Sequence, residues 1–160
     1  MLDISEIISR LSFHEGCVLM PYICPAGKLT IGIGRNIDDN PFTVEELKVI
    51  GDDWKHGITK AQAYMLCRND INRCIKQLKK GIPFFDNLDA ERQYALIDLC
   101  FNMGIKSLKK FKKMLEAMGS SYYNRAAEEL LNSKYATQVG VRAKRIAKLI
   151  ETGRWEQWIG

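Results

Sequence analysis

The sequence has little of what marks fibrous, disulfide-rich or membrane proteins. Its 160 residues include 4 Pro and 12 Gly, with no internal repeat and no low-complexity segment. No apolar run approaches the 18 or so residues that a bilayer span needs. Five cysteines, an odd number without C-x-x-C spacing, favour neither a disulfide framework nor a zinc cluster. We therefore expect one globular domain over residues 1–160, with its thiols reduced and mostly buried.

Several ligand classes lack their usual signatures. His14 and His56 are far in sequence from acidic or cysteine clusters, so we expect no metal site. Gly32 and Gly34 lack the third glycine of a dinucleotide-binding loop, because Ile37 stands in its place. The N-terminus has neither the basic leader nor the apolar run of a secretory signal, which predicts synthesis in the cytosol. We expect no cofactor.

The charge is moderately positive, with 24 Lys and Arg against 19 Asp and Glu and a net charge of +5. This balance favours encounter with an anionic polymer, but it leaves nucleic acid, cell wall and acidic lipid open.

The pattern of apolar residues predicts an α+β fold that is mostly helical. An amphipathic helix is expected over about 3–14, a small β-hairpin or meander over 21–35, and mainly loop over 36–57 with one helical turn at 44–49. Thr59 is the expected N-cap of a long helix that ends at Gly81. Further helices are predicted at 89–103, 107–118, 122–132 and 141–152.

These elements suggest two lobes within the domain. The predicted division is a β-bearing lobe at about 15–58, a connecting helix at 59–80, and a helical lobe made of 81–160 together with 1–14. Ligands commonly bind in a cleft between such parts of a protein, so the sequence predicts a site there.

Three residues near the N-terminus are the strongest candidates for chemistry. Glu15 stands where the first helix runs into Gly16, Cys24 follows after eight intervening residues, and Thr30 follows after five more. The predicted hairpin folds the thiol and the hydroxyl back towards the carboxylate. The residues alone leave a plainer interpretation open, in which the glutamate is solvated, the cysteine is core and the threonine is a strand former.

The same residues carry a family resemblance. Glu15, Gly16, Tyr22, Cys24, Gly27 and the run from Thr30 to Gly34 resemble the signature of glycoside hydrolase family 24, the T-even phage type lysozymes and endolysins, in which Asp or Cys occupies the middle position. The similarity continues through nearly the whole chain except 36–57. It includes Ile58 to Lys60, Ala63, Asp70, Leu88 to Ala90, Phe101 to Gly104, Arg142 to Arg145 and Thr152 to Trp155.

The resemblance implies hydrolysis of the β-1,4 bond between N-acetylmuramic acid and N-acetylglucosamine in peptidoglycan. Glu15 would protonate the glycosidic oxygen, and Thr30 would hold the attacking water together with Cys24. An ordinary thiol has a pKa near 8.5 and is a weak base. Base, nucleophile and spacer therefore all remain possible roles for Cys24, and the stereochemical outcome is open.

The resemblance also implies supporting residues. Arg142 would orient Glu15, with an ordinary solvated arginine as the alternative. Expected substrate contacts are Asn36, Phe101, Asn102 and Glu129, with core packing the alternative for Phe101 and a solvated helix face the alternative for Glu129. Arg35 and Asp70 are expected to form an exposed ion pair between the lobes.

One segment favours other functions. Residues 106–115 are cationic and amphipathic, which suits a helix on a membrane surface or a nucleic-acid-binding module, although lysines on a solvated face explain it equally simply.

We expect peptidoglycan as the substrate, no nucleic acid, no stable membrane insertion and a monomer. A phage holin is the expected functional partner. The expected location is the host cytoplasm until the inner membrane is permeabilised, then the periplasm or cell wall.

Overall fold

The computed structural model describes residues 1–157 and has the predicted α+β architecture. Most of the described chain is helical, with one small antiparallel sheet near the N-terminus. The α-helices are Ile4–Glu15 (α1), Val44–Ile50 (α2), Lys60–Gly81 (α3), Ala90–Met103 (α4), Ile105–Lys109 (α5), Lys112–Gly119 (α6), Tyr123–Leu131 (α7), Lys134–Val139 (α8) and Val141–Thr152 (α9). The strands are Val18–Ile23 (β1), Leu29–Gly32 (β2) and Arg35–Asn36 (β3), and short 3-10 helices cover Trp54–His56 and Phe85–Asn87. The last three positions of the predicted domain lie outside the described residues.

The chain divides into two compact units. The sheet unit comprises residues 3–72, and the helical unit comprises residues 1–2 and the chain from residue 73 onward. Helix α1 belongs to the sheet unit, whereas the sequence placed residues 1–14 with the helical lobe. The expectation of a single domain stays a prediction.

The sheet is a meander of order β1-β2-β3 with one irregularity in β1. Val18 lies opposite Gly32, and Tyr22 lies opposite Thr30. Four residues of β1 therefore span the same stretch as two residues of β2, which makes a β-bulge. Pro21 lies inside it and has no N–H to give to the ladder, so a bulge is a suitable place for it.

The two helices that frame the sheet unit begin as the sequence predicts. Asp3 caps α1 by accepting a hydrogen bond from the Glu6 backbone at 2.9 Å. Thr59 and Gln62 form reciprocal side-chain to backbone hydrogen bonds of 3.1 and 2.9 Å at the start of α3. Such reciprocal bonds satisfy N–H groups that have no partner inside the helix.

The structure departs from the predicted elements at three places. The expected turn at 44–49 is the full helix α2, because Thr43 and Glu46 form a capping box. The expected helix 107–118 is divided into α5 and α6, with Phe111 outside helical geometry. Helix α8 was not predicted, and Ser133 caps it by accepting from the Ala136 backbone at 3.2 Å.

The cationic segment packs as part of the helical unit. Its apolar side chains Leu108, Met114 and Leu115 are buried, and its lysines are exposed. The apolar side is therefore occupied by the core, which disfavours a membrane-surface helix. Within residues 1–157 no helix combines the length and the apolar character needed to cross a bilayer.

A buried ionic network lies at the centre of the sheet unit. Arg35 donates from Nε to Asp70 Oδ1 at 3.0 Å and from Nη1 to Glu46 Oε1 at 3.0 Å. Asn69 donates to Glu46 Oε2 at 2.9 Å. The pair of Arg35 and Asp70 was expected to be exposed and to link the lobes. It is instead buried within one unit, and Glu46 is a third member that the sequence did not indicate.

The network makes stability depend on acid pH through Glu46. Burial raises the pKa of Glu46, but hydrogen bonds from Arg35, Asn69 and the Thr43 backbone outweigh burial and lower the pKa from 4.5 to about 2. The ionised carboxylate therefore contributes its stability above pH 4.5, and the contribution disappears as the pH falls towards 2. The shift corresponds to roughly 3 kcal/mol. We expect the free energy of unfolding, measured by urea denaturation, to decrease over this range.

Glu46→Gln is the matched variant for this prediction. It removes the titrating group, so the difference in unfolding free energy between wild type and variant should shrink as the pH falls. If the difference in unfolding free energy between wild type and variant stays constant from about pH 5 to about pH 2, Glu46 does not cause the pH dependence.

A second stability prediction concerns Ser121, the one non-glycine residue with positive φ in the described chain, at 62°. The Tyr122 backbone donates to Ala117 at 2.8 Å, so Ser121 occupies the left-handed position that closes α6 and usually holds glycine. Ser121→Gly should raise the unfolding free energy by about 1 kcal/mol. Ser120→Gly, at φ −99°, is the control and should give no gain. Equal gains in both variants would refute the explanation.

Candidate active site

Glu15 is held against the backbone of Gly34. It is the last residue of α1, and Gly34 lies in the turn between β2 and β3 with φ at 66°. A Cβ atom at Gly34 would be 2.8 Å from both Cδ and Oε2 of Glu15. This position therefore admits only glycine, both for its backbone angle and for the carboxyl group packed on it.

Tyr22, Cys24 and Thr30 lie near one another on β1, the following turn and β2. Tyr22 and Thr30 are directly opposite each other across β1 and β2, so their side chains share one face of the sheet. The Thr30 side chain hydrogen-bonds to the Cys24 thiol and thereby contributes to lowering the pKa of Cys24. Burial raises the pKa of Tyr22, and the negative charges of Glu15 and Cys24 raise it further. The charge of Glu15 thus acts on the same tyrosine that lies opposite Thr30.

The turn that carries Cys24 favours the thiolate. Partial burial raises the pKa of Cys24, but hydrogen bonds from the Lys28 backbone, the Thr30 side chain and the Ala26 backbone outweigh it, and the net pKa is lowered. The turn is closed by the Gly27 backbone, which donates to the Cys24 carbonyl at 2.8 Å. Backbone N–H groups aimed at an anion favour its charged form. Cys24 therefore loses its proton more readily than an unperturbed cysteine.

Thr30 is buried and already uses its proton. Its exposed fraction is 3%, and its hydroxyl donates to the Lys28 carbonyl at 2.9 Å. A hydroxyl has one proton and two lone pairs. Thr30 can therefore accept a hydrogen bond from a water molecule while it keeps this contact, or can turn its proton to the thiolate.

Asn36 has local partners in the structure. Its side-chain amide donates to Asp39 at 2.8 Å and accepts from the Asp39 backbone at 3.0 Å. Asp38, next in the same loop, accepts from the Leu29 backbone at 2.8 Å. The amide thus closes the loop after β3. Its expected contact with acetamido groups stays a prediction.

Arg142 is anchored within the helical unit by Asp98, a residue that the sequence analysis missed. Arg142 Nε donates to Asp98 Oδ1 at 3.0 Å, and the Tyr94 hydroxyl donates to Asp98 Oδ2 at 3.0 Å. Asp98 is fully buried, and Arg142 is nearly so. The interpretation of Arg142 as a freely solvated arginine is therefore wrong, and its orientation is fixed through α4.

The other expected substrate contacts lie on α4 and α7. Phe101 is half-buried and Asn102 is exposed near the end of α4. Glu129 is half-buried and lines a cavity of about 340 Å³ together with Lys113 and Arg125. Of these three side chains, Asn102 is the most exposed. The contact of all three with substrate stays a prediction.

The sequence indicated a close backbone approach at Gly32 and Gly34 but not the groups that approach them. At Gly34 this group is the Glu15 carboxyl. At Gly32 it is Ala63, whose Cβ would lie 3.4 Å from an added Cβ atom. Regular pairing continued from Tyr22 and Thr30 would have put Met20 opposite Gly32, and the bulge puts Val18 there instead, without a clear sequence signal.

Comparisons with known proteins agree with this arrangement. The family model described as phage lysozyme matches residues 12–152. Probable T4-type lysozyme 2 of Dictyostelium discoideum is 29% identical, over 97% of this chain and 99% of that protein. The pre-baseplate central spike protein of Enterobacteria phage T4 is 29% identical over 98% of this chain, which corresponds to 29% of the spike protein. The SAR-endolysin of Escherichia phage P1 is 33% identical over 65% of this chain and 49% of that protein.

Gly34→Ala tests the contact with Glu15. The added methyl group would overlap the carboxyl group, so we expect at least a tenfold loss in the rate of peptidoglycan clearing, measured by turbidity. Gly51→Ala is the matched control, because Gly51 has φ at 76° and open space around an added Cβ. Both variants should lose about 1 kcal/mol of stability. Equal loss of activity in the two would point to backbone strain rather than displacement of Glu15.

Proposed function

Because the chain belongs to the phage lysozyme family, it is a glycoside hydrolase that acts on peptidoglycan, and we propose that Glu15, Cys24 and Thr30 perform the reaction. The bond cleaved is the β-1,4 linkage between N-acetylmuramic acid and N-acetylglucosamine. The observation that supports the proposal is the packing of the Glu15 carboxyl group on Gly34, while the charges of Glu15 and Cys24 both act on Tyr22, which lies opposite Thr30.

Glu15 supplies the proton in the proposed reaction. Cleavage of a glycosidic bond requires an acid that protonates the leaving oxygen while positive charge develops at the anomeric carbon. Glu15 has the chemistry for this step, and its position on Gly34 keeps its carboxyl group in one place. The carboxylate that remains stabilises the developing positive charge.

Cys24 and Thr30 act on the attacking water. Thr30 accepts a hydrogen bond from the water through a free lone pair, because its own proton is directed to Lys28. The Cys24 thiolate accepts the proton that the water loses as the new C–O bond forms. The hydrogen bonds of the 24–28 turn lower the pKa of Cys24 and favour its thiolate form, which supports a base rather than a spacer.

Arg142, which is hydrogen-bonded to Asp98, is proposed to orient the carboxyl group of Glu15. Asn36, Phe101, Asn102 and Glu129 are proposed to contact the glycan. A monomeric state, dependence on a phage holin, and passage from the host cytoplasm to the periplasm or cell wall stay predictions from the sequence.

The alternative function as a cationic membrane- or nucleic-acid-binding helical protein is not favoured. The apolar residues of the 106–115 segment are buried, and the chain matches the lysozyme family over residues 12–152. Peptidoglycan clearing without salt-dependent DNA retention separates the two functions in one pair of assays.

The roles of the three residues predict a graded series of variants. Glu15→Gln should abolish clearing, since the amide cannot donate the required proton. Cys24→Ala and Thr30→Ala should each lower the rate by roughly 10²-fold, the usual range for one acid-base group. Cys24→Asp should retain activity, because a carboxylate can replace the thiolate as a base. Full activity of Cys24→Ala would exclude a catalytic role for the thiol. Activity of Glu15→Gln would refute Glu15 as the acid and with it the proposed mechanism.

Mass spectrometry completes the test. Reducing-end muramic acid in digested wall fragments is expected for hydrolysis, whereas anhydro ends would mean a lytic transglycosylase. The intact mass of the enzyme during turnover distinguishes a base from a nucleophile, because attack by Cys24 would leave a glycan attached to the protein.

A further inference from the structure

Two cavities in the helical unit share lining residues at the start of α7. The cavity of about 340 Å³ that contains Glu129 is also lined by Tyr122 and Arg125. The same two residues line a second cavity of about 390 Å³, whose other lining residues are Ser121, Tyr123, Asn124 and Glu151. Arg125 and Glu129 are one helical turn apart and lie on the same face of α7. The two cavities therefore form one continuous groove from Tyr122 to Glu129, which we call the α7 groove.

An exposed aromatic ring stands where the two cavities meet. The exposed fraction of Tyr122 is 67%, the highest among the large hydrophobic and aromatic side chains of the described residues. Tyrosine combines a broad apolar face with a polar end, which suits contact with ligands that are themselves partly apolar and partly polar. The ring of Tyr122 is thus available to a ligand at the junction of the cavities.

The wall of the second cavity is held in place by Arg92 of α4. Its guanidinium lies 3.6 Å from the centroid of the Tyr123 ring. Its Nε donates to the Ile150 carbonyl at 2.7 Å, and its Nη2 donates to the Glu151 carbonyl at 3.0 Å. These contacts join the beginning of α7 to the last turn of α9, the two parts of the chain that line the cavity. A site that is already ordered binds its ligand at a lower cost in entropy.

The polar groups of the second cavity suit a neutral, hydroxylated ligand. Asn124 contributes an amide, Arg125 a guanidinium and Glu151 a carboxylate, so the lining offers both hydrogen-bond donors and acceptors. Within residues 1–157 neither of the two charged side chains has an ion-pair partner. One positive and one negative group disfavour a polyanion. Sugar hydroxyl and acetamido groups need both donors and acceptors, and the C–H groups on one face of a sugar ring pack on an aromatic ring.

We propose that the α7 groove is a second glycan-binding site, which holds N-acetylhexosamine units of the substrate polymer beyond those that contact Glu129. The inference rests on the proposed function, in which Glu129 contacts the glycan. Tyr122 and Glu129 are separated by roughly 10 Å along the helix, a span that two linked sugar rings can cover. A second hold on the same polymer raises the effective concentration of substrate at the enzyme.

Binding to insoluble peptidoglycan tests the ring of Tyr122. In a Glu15→Gln background, sedimentation with purified peptidoglycan should show that Tyr122→Ala raises Kd roughly fivefold, because one aromatic contact is lost. Tyr122→Phe keeps the ring and should bind like its parent. Tyr64→Ala is the matched control, since Tyr64 is 36% exposed, has Lys60 near its ring and lines neither cavity. Unchanged Kd in Tyr122→Ala would overturn the proposal.

A titration followed by NMR locates the site without a variant. A soluble oligomer of N-acetylglucosamine is added to the wild-type protein, and we expect saturable shifts of the backbone amides at 121–125 and 151. The absence of such shifts would overturn the proposal. Shifts produced there by a sugar-free stem peptide but not by the oligomer would identify a peptide site and would equally refute a glycan site. This measurement remains decisive if Tyr122→Ala does not fold.

The outcomes separate this proposal from the proposed catalytic mechanism. The oligomer contains no muramic acid linkage, so its titration reports on the α7 groove whatever the role of Glu15. If Glu15→Gln clears peptidoglycan, the mechanism fails, and the amide shifts still decide the groove. If Glu15→Gln is inactive while Tyr122→Ala binds as tightly as its parent, only the second site is refuted.

Discussion

The sheet unit depends on one buried cation. Arg35 follows Gly34 directly, and its guanidinium is shared by Glu46 of α2 and Asp70 of α3. Taking three charged groups out of water is costly, and removing one partner leaves another uncompensated. The backbone at Arg35 is therefore strongly held, and with it the adjacent glycine on which the Glu15 carboxyl rests. Through the pairing of Ile31 with Arg35, the same anchor sets the position of Thr30 one residue away.

In the proposed reaction, a thiol takes the place of the second carboxylate of a glycosidase. An aspartate is ionised at neutral pH without assistance, whereas a cysteine needs hydrogen bonds to the sulfur. The backbone of the 24–28 turn supplies such hydrogen bonds and lowers the pKa of Cys24. Thr30 has a single proton, so it donates either to the Lys28 carbonyl or to the thiolate, and its lone pairs can accept from water in both cases. The turn thus favours the charge that the proposed base requires.

The sequence predicted features that depend on local chemistry. Helices α1 and α3 follow from apolar periodicity and capping residues, whereas the spacing of Glu15, Cys24 and Thr30 alone left their role open, and the family resemblance singled them out. Features that depend on tertiary contacts were missed. Glu46 looks like an ordinary charged residue of a loop, and Asp98 lies in an apolar stretch of α4, yet each is buried against an arginine distant in sequence. The division of 107–118 at Phe111 was likewise invisible to periodicity, because apolar spacing continues across it.

The bulge in β1 separates two registers within one strand. Next to the 24–28 turn, Ile23 and Tyr22 pair with Leu29 and Thr30, whereas Val18 pairs with Gly32, two positions away from the register that the turn sets. Because the turn fixes the pairing beside it, a residue lost or gained at 19–21 would leave Tyr22 opposite Thr30. The change would instead shift the chain that joins β1 to the end of α1, so length at 19–21 bears on Glu15 and not on the hairpin.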